Sequence, residues 1–301
     1  MLDYHLHLWP HAQADAEATV EQVTAYCRRA VEAGVSEIAL TEHLFRFTQA
    51  KDRLGGFWDD LPGDALRPGM AAYWDHHARV DLDTYVEVVL AVKAQGLDVA
   101  LDFHGRLRKP MAKQLLRLLE PMGLLFVEEV LLSEEIGGLA ELKAGCAIPF
   151  ALGERLYSRW DFKPFFEREI VDIIQPDLSH AGGLSEVRRI AAMAEAYDVA
   201  LAPHCPLGPL ALAACLQIAA STPNHALQEM SLGIHYNAGH DLYSFVIDPT
   251  PLTPVDGALP IPHGAGLGIE IDEDAVRAVA ANPHRWRNPI WRAADGGFSE
   301  W

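Results

Sequence analysis

Short runs of alternating apolar and polar residues recur along the chain and predict strands, with stretches of helical spacing between them. In residues 2–8, Leu2, Tyr4, Leu6 and Leu8 share one face and polar residues share the other, the period expected of a half-buried strand. Comparable runs predict seven more strands, at residues 36–41, 99–101, 124–127, 148–152, 173–175, 200–202 and 226–228. The pattern therefore predicts eight strands in a chain of 301 residues.

Helices are predicted between most of these strands. Thr19 and Gln22 form a capping-box pattern that opens a helix, and Gly34 follows its end, as the preferences of helix termini require. A second helix is predicted at residues 82–95, with Gly96 as its stop. Others are predicted at residues 111–119, 184–196, 207–220 and 274–281. Strands that alternate with helices are typical of a parallel sheet covered by helices.

A polar residue stands at or just beyond the end of each later strand, at intervals of 23 to 27 residues. These residues are Asp102, Glu128, Glu154, Asp177, His204 and Glu229. A (β/α)₈ barrel of the TIM type carries its active-site residues at the carboxyl ends of its strands in this way. The predicted fold class is therefore α/β, a (β/α)₈ barrel. The alternative is a set of solvated residues whose even spacing has no chemical meaning.

Composition narrows the function classes. The chain carries 42 acidic and 24 basic residues, a formal charge of −18 at pH 7, which would repel nucleic acid and an anionic membrane surface. Four scattered cysteines form no C-x-x-C pair, which is typical of buried thiols in a reducing compartment. No signal peptide is visible, and the longest apolar stretch, about residues 207–220, is too short to span a bilayer. We therefore expect a cytoplasmic protein that binds neither nucleic acid nor membrane.

Three acidic residues follow consecutive strands and are candidate metal ligands. Asp102, Glu128 and Glu154 would converge at neighbouring points of a barrel rim, and three oxygen ligands suit a hard cation such as Mg²⁺. Without a cation, buried carboxylates repel one another and their pKa values rise. Taken singly, each of these acids is more often a surface charge.

Two histidines are candidate proton-transfer groups. His204 ends one strand and Asp177 ends the preceding one, so the carboxylate can orient the imidazole and stabilise its charged form. His104 lies two residues after Asp102 and is predicted to point to the same face as that ligand. Histidines on two sides of a metal could serve as an acid and a base, although a lone histidine on a strand is usually structural.

A second candidate metal site lies near the N-terminus. His5 and His7 alternate at the end of the first predicted strand, and His43 closes the second. Imidazole ligands suit Zn²⁺ or Mn²⁺. The alternative is that these histidines line a barrel mouth without binding metal.

From about residue 98 onward the chain resembles the enolase superfamily, and closely its sugar-acid dehydratases of the galactonate dehydratase type. The resemblance rests on residues 102–106, 109–113, 153–155, 158–159, 175–183, 202–209, 228–231 and 286–301. One departure is Val130 after Glu128 and Glu129, where the family usually has proline.

The resemblance implies a hydro-lyase that dehydrates a sugar acid to a 2-keto-3-deoxy acid. Asp102, Glu128 and Glu154 would hold one Mg²⁺. His204, paired with Asp177, would take the α-proton and leave an enediolate, His104 would expel the β-hydroxyl as water, and Glu229 would hydrogen-bond the substrate. The resemblance also implies a homo-oligomer.

Residues 1–97 instead resemble the start of the PHP family, as in histidinol-phosphatases, through residues 3–8, 41–47 and 74–96. Residues 45–80, rich in Gly and Pro pairs, predict a long loop. We expect two PHP-like βα units (1–97) and six enolase-superfamily units (98–301) to form one hybrid barrel. The capping domain that precedes the barrel in the dehydratases is expected to be missing.

Three functions follow from these patterns. The leading hypothesis is an Mg²⁺-dependent sugar-acid dehydratase, weakened by the missing cap. A second is a metal-dependent phosphatase of the PHP type that uses His5, His7 and His43. A third is a barrel that binds a metal without turnover.

Overall fold

Seven short strands pair in sequence order into one parallel sheet. Their bounds are β1 (Leu2–Leu6), β2 (Glu37–Leu40), β3 (Asp98–Asp102), β4 (Val127–Glu128), β5 (Phe150–Leu152), β6 (Ile173–Ile174) and β7 (Ala200–Leu201). This computed structural model describes residues 2–6, 20–32, 37–40, 82–230, 242–255, 257–281, 291–292 and 298–299. The parallel order agrees with the α/β fold predicted from the sequence.

The predicted eighth strand, at residues 226–228, is reduced to one parallel bridge between His225 and Leu201. The Leu201 amide donates to the Asn224 carbonyl, and the Ala226 amide donates to the Leu201 carbonyl, both at 2.8 Å. The next donor on the β7 side would be residue 203, a proline, which has no amide hydrogen. The ladder therefore ends after one step, and closure of the ring onto β1 stays a prediction.

Helices connect the strands, as the alternation predicted. They are α1 (Val20–Glu32), α2 (Leu82–Lys93), α3 (Lys109–Leu119), α4 (Ile136–Ala144), α5 (Arg159–Glu167), α6 (Gly183–Glu195), α7 (Pro209–Ser221) and α8 (Glu273–Ala280). Gly96 ends the turn after α2 with φ +81°, a left-handed conformation that glycine adopts readily. The Asp272 side chain caps α8 by accepting from the Ala275 amide at 2.9 Å. None of the helices among the described residues is long and apolar enough to cross a membrane.

The larger of two hydrophobic clusters among the described residues lies between the sheet and its helices. Cys27 of α1 and Val88 of α2 belong to the same buried cluster as Leu101 of β3 and Phe150 of β5. β2 pairs with β3 over four residues in parallel register, directly across the boundary predicted near residue 97. Within the described residues, the first units therefore pack on the later ones. The loop predicted at residues 45–80 lies outside the described residues.

The cysteines agree with the prediction of free thiols. Cys27, Cys205 and Cys215 are buried, Cys146 is half-buried, and all four are free.

β5 and β6 approach each other closely at their carboxyl ends, beside Gly153. A β-carbon there would lie 2.6 Å from the Gln175 amide nitrogen and 2.7 Å from its carbonyl carbon, and backbone atoms cannot move aside cheaply. We expect Gly153→Ala to lower the free energy of unfolding by about 2–3 kcal/mol, as other forced contacts in cores do. Denaturant unfolding followed by circular dichroism measures this.

The matched control is Gly137→Ala in α4, where an added β-carbon meets nothing within 4 Å. That change should be neutral or stabilise the fold by up to about 1 kcal/mol, because alanine favours helix over glycine. Equal losses in both variants would contradict the proposed clash.

Candidate active site

The sheet register brings the first two predicted metal ligands together. Asp102 and Glu128 are direct register partners at the ends of β3 and β4. Glu154 follows β5 after Gly153, at the same edge of the sheet. The three predicted carboxylates therefore stand at the carboxyl end of three neighbouring strands, where parallel α/β folds hold their active sites.

His104 lies at this edge of the sheet, but not through the strand alternation that was predicted. It lies beyond the end of β3, with φ +50°, so the alternation rule used to orient its side chain does not apply. Its amide donates to Asp102 Oδ1 at 2.7 Å. Its ring Nδ1 lies 3.4 Å from Glu154 Oε1 and 3.8 Å from Asp102 Oδ2. A left-handed turn, and not the pleat of the strand, therefore brings the imidazole to the carboxylates.

His204 joins two carboxylates through its two ring nitrogens. Nδ1 lies 2.8 Å from Asp177 Oδ2, and Nε2 lies 3.1 Å from Glu154 Oε2. Asp177 is 1% exposed, and its Oδ1 accepts from the Ser179 amide at 2.6 Å. The pairing of Asp177 with His204 predicted from the sequence is thus present in the geometry, and the imidazole is held from both sides.

Two more hydrogen bonds hold acids at the same edge. Glu229 Oε2 accepts from the Cys205 amide at 2.8 Å, so Glu229 is attached to the residue that follows His204. Glu128 Oε2 accepts from the Gln175 amide side chain at 2.7 Å. Gln175 is buried and was not among the predicted site residues.

The acids of the site repel one another. Burial, reinforced by the charges of Asp102, Glu154 and Glu229, raises the pKa of Glu128 well above its usual 4.5. Burial, reinforced by Glu154 and Asp102, raises the pKa of Glu129 to about 8, although Arg155 opposes this shift. Both pKa values are raised because these carboxylates are buried and too few positive charges lie near them.

The two histidines are shifted in opposite directions. Burial would lower the pKa of His204, but its hydrogen bonds to Asp177 and Glu154 raise it to about 12. Burial would likewise raise the pKa of Glu154, but the same contact lowers it to about 2. Burial lowers the pKa of His104 to about 4, although Glu154 opposes this shift. At neutral pH the first imidazole is therefore charged and the second is neutral.

These residues fit a divalent cation. His104, Glu129 and Glu154 offer ligand atoms that all lie within 4.8 Å of one another, and Asp102 and Glu128 stand beside them. Carboxylate oxygens are the ligands that hard cations prefer. A cation would offset the repulsion that, together with burial, raises the pKa of Glu128 and Glu129. The closest group of potential ligands differs from the predicted trio, since Glu129 and His104 replace Asp102 and Glu128 in it.

Glu129 and Arg155 are site residues that sequence reasoning missed. Glu129 is 1% exposed and has φ +42°, so its backbone turns the side chain inward instead of following the strand pleat. Arg155 Nε lies 2.9 Å from Glu129 Oε2. The sequence signals that could have identified them are the two adjacent acids at residues 128–129 and the basic residue directly after Glu154.

The predicted N-terminal metal site falls largely outside the described residues. His5 lies in β1, where the structure describes the backbone and not the side chain. His7 and His43 lie outside the described residues. The Zn²⁺ or Mn²⁺ site at these three histidines stays a prediction.

Comparison with known proteins assigns the family. A family model described as "Enolase C-terminal domain-like" matches residues 22–275. The chain belongs to this family. The match begins within α1 and includes β2 and α2, the elements that were interpreted as PHP-like. The comparisons give no support to a PHP origin for residues 1–97, so the hybrid composition is unconfirmed.

Curated relatives share this part of the sequence. The chain is 52% identical over 226 residues to a D-galactonate dehydratase of Variovorax paradoxus, a match that covers 73% of this chain and 58% of that protein. It is 52% identical over 205 residues to a D-galactonate dehydratase of Xanthomonas campestris, covering 68% of this chain and 54% of that protein. The chain thus spans little more than half the length of these relatives.

Solved structures share the fold. A member of the enolase superfamily from Salmonella Typhimurium aligns with a TM-score of 0.69 at 24% identity, covering 91% of this chain and 66% of that one. A mandelate racemase/muconate lactonizing enzyme-like protein from Roseovarius aligns with a TM-score of 0.68 at 25% identity, covering 92% and 63%. The alignments with these enolase-superfamily structures therefore cover more than nine-tenths of this chain.

The opposite shifts of the two histidines can be measured directly. In chelator-treated protein at pH 7, ring-selective NMR should show His204 as an imidazolium and His104 as a neutral imidazole. Since the folded-state pKa of His204 exceeds its ordinary 6.5, its stabilising contribution is complete below about pH 6.5 and is lost as pH rises toward 12.

Asp177→Asn should lower the pKa of His204, because it removes the charge that stabilises the imidazolium. Glu186→Gln, which alters a carboxylate paired with Arg159, should leave both rings unchanged. If both imidazoles titrate near pH 6.5 in the chelated protein, the electrostatic description of this site is wrong.

Proposed function

We propose that this chain catalyses the Mg²⁺-dependent dehydration of a sugar acid to a 2-keto-3-deoxy acid, as a hydro-lyase. The observation that carries the proposal is the approach of two imidazoles to one carboxylate. Glu154 lies 3.1 Å from His204 Nε2 through one oxygen and 3.4 Å from His104 Nδ1 through the other. Dehydration needs one group to remove a proton and another to donate one, on either side of a bound acid.

His204 is the base in this proposal. It takes the proton on the carbon next to the substrate carboxylate, and the electron pair of that C–H bond moves toward the carboxylate to form an enediolate. Asp177, buried and 2.8 Å from Nδ1, orients the ring so that Nε2 faces the substrate, and it stabilises the imidazolium that forms.

His104 is the acid. It donates a proton to the β-hydroxyl as the C–O bond breaks, so that the hydroxyl leaves as water, and the resulting enol tautomerises to the 2-keto-3-deoxy acid. Without a cation the proton is held on His204 and not on His104. In this scheme, His204 must therefore lose its proton and His104 must gain one when cation and substrate bind. An anionic substrate beside His104 favours this change, because its charge raises the pKa of that ring.

Asp102, Glu128 and Glu154 are the residues that would hold Mg²⁺, with Glu129 close to them. When bound, the cation would supply positive charge beside the substrate carboxylate and the negative charge that develops on it. The pKa of His204 would fall once Glu154 shares its charge with a cation, which is the direction that a base needs. Glu229, held by the Cys205 amide, would hydrogen-bond the substrate carboxylate.

Galactonate is the first substrate to test, because the curated relatives are named D-galactonate dehydratases. A protein of charge −18 repels an anionic sugar acid until a cation inverts the local field. We expect a small-molecule acid sugar as the partner, a homo-oligomer as the assembly and the cytoplasm as the location. The phosphatase and the silent metal-binding barrel stay as alternatives that the assays distinguish.

The activity is tested with a panel of aldonates and Mg²⁺, with keto-acid formation as the readout. Wild type should convert at least one aldonate to its 2-keto-3-deoxy acid. His204→Asn should lower kcat by at least about 10²-fold, because loss of a general base costs 10²- to 10⁴-fold. Asp102→Asn should also abolish most of the activity, because it removes a proposed Mg²⁺ ligand.

Lys163→Met, which removes an exposed ion pair with Glu167, serves as the control and should match wild type. Full activity in His204→Asn would refute the assignment of the base. Phosphate release from histidinol phosphate with Mn²⁺ or Zn²⁺, lost on His7→Ala, would support the phosphatase instead.

Cation binding is tested by thermal unfolding with chelator or with Mg²⁺. The pKa of Glu128 is raised, so its ionisation destabilises the cation-free fold above about pH 4.5. Saturating Mg²⁺ should therefore raise Tm, with a stabilisation of about 2.7 kcal/mol at 100 times Kd. Glu128→Gln should raise Tm in chelator and largely abolish the response to Mg²⁺.

Glu141→Gln, at an exposed acid paired with Lys109, should keep the full response to Mg²⁺. An Mg²⁺ response that is equal in wild type and in Glu128→Gln would exclude Glu128 as a ligand.

A further inference from the structure

Arg155 connects three strand ends of the site. Its Nε lies 2.9 Å from Glu129 Oε2 and 3.6 Å from Glu154 Oε1. Its Nη2 donates to the His104 carbonyl at 3.2 Å. One guanidinium thus contacts the residue after β4, the acid after β5 and the backbone of the histidine after β3. A planar, always-charged group with several donors is suited to such a junction.

Glu129 forms an ion pair with this guanidinium from a buried position. Its side chain is fully buried, whereas that of Arg155 is 20% exposed, so the carboxyl group has no access to solvent as an alternative partner. Its amide donates to the Ala151 carbonyl of β5 at 3.0 Å, and its carbonyl accepts from the Gly105 amide at 2.7 Å. Glu129 is therefore connected to the turn that carries His104 in two ways. Its carbonyl accepts from the Gly105 amide, and its side chain contacts Arg155, which donates to the His104 carbonyl.

The turn itself needs such support. His104 and Gly105 both have positive φ, at +50° and +68°, and a non-glycine residue in this conformation persists only where its surroundings determine it. An added β-carbon at Gly105 would lie 2.7 Å from Leu132 Cδ2, so the turn is packed closely. Two of the contacts that hold His104 in this turn are the Asp102 carboxylate, which accepts from its amide, and Arg155, which donates to its carbonyl.

We propose that Glu129 and Arg155 form a positioning pair that fixes the imidazole of His104 for proton donation to the leaving hydroxyl. Neither residue touches the reacting atoms in this scheme. Glu129 orients Arg155, and Arg155 holds the left-handed turn of His104 by its carbonyl. The kinetic part of this inference rests on the dehydratase function proposed above, whereas the positional part does not.

The positional part is tested by ring-selective NMR on chelator-treated Arg155→Met and on Glu129→Gln/Arg155→Met. The double variant avoids leaving the buried Glu129 carboxyl group without its partner. The His104 ring signals should shift or broaden in both variants, while those of His204 stay in place. Arg159→Met is the matched control, because Arg159 makes a two-point contact with the carboxylate of Glu186, and it should leave both rings unchanged.

The kinetic part compares dehydration with exchange of the substrate α-hydrogen in D₂O, at saturating Mg²⁺. In Arg155→Met, kcat for dehydration should fall about 10²-fold, as expected for a misplaced acid, with KM little changed. Exchange of the α-hydrogen, which needs the base His204 but no acid, should persist. A 3-deoxy-3-fluoro substrate, which eliminates fluoride without a proton donor, should recover most of the lost rate, and Arg155→Lys should be intermediate.

Three results would overturn the proposal. Unchanged His104 signals would show that Arg155 does not position this ring. Parallel loss of dehydration and exchange would show a general structural role, as would equal effects in Arg159→Met. If wild type neither dehydrates nor exchanges any aldonate, the proposed function fails, and the NMR comparison still decides the positional inference.

Discussion

Repulsion among buried carboxylates at one edge of the parallel sheet is the constraint on which this site depends. Consecutive parallel strands end side by side, so acids at the ends of β3, β4 and the segment after β5 have no room to separate. Burial, reinforced by this repulsion, raises the pKa of Glu128 and Glu129. Positive charge beside these acids comes from groups such as His204 and Arg155, and a bound divalent cation would add to it.

In the proposed function, His204 and a cation would compete for the same carboxylate, that of Glu154. In the cation-free chain Glu154 is stabilised by the charged His204, which keeps the pKa of the acid low and that of the imidazole high. This ion pair holds the site together but leaves His204 unable to accept a proton at neutral pH. A cation on Glu154 would release the imidazole for catalysis. In the proposed function, metal binding and activation of the base would thus be coupled through Glu154.

The first two βα units belong to the same structural unit as the rest wherever the structure describes them. β2 continues the sheet in register with β3, and side chains of α1 and α2 enter the common core. The family match across residues 22–275 agrees with this continuity. Histidine pairs near predicted strand ends were weak signals for a different family, because the carboxyl ends of barrel strands are rich in polar residues in many unrelated enzymes.

The sequence by itself determined the alternation of strands and helices, the edge of the sheet that carries the chemistry, and the pairing of His204 with Asp177. These follow from hydrophobic periodicity and from the spacing of polar residues, which are local properties. Tertiary structure decided what local pattern could not. Left-handed backbone at His104 and Glu129 turns these side chains toward the site against the pleat, and Pro203 stops the final ladder after one bridge. The proposed role of Arg155 depends on three segments, distant in sequence, that meet at its guanidinium. The hydrophobic periodicity of the sequence does not predict which segments will meet.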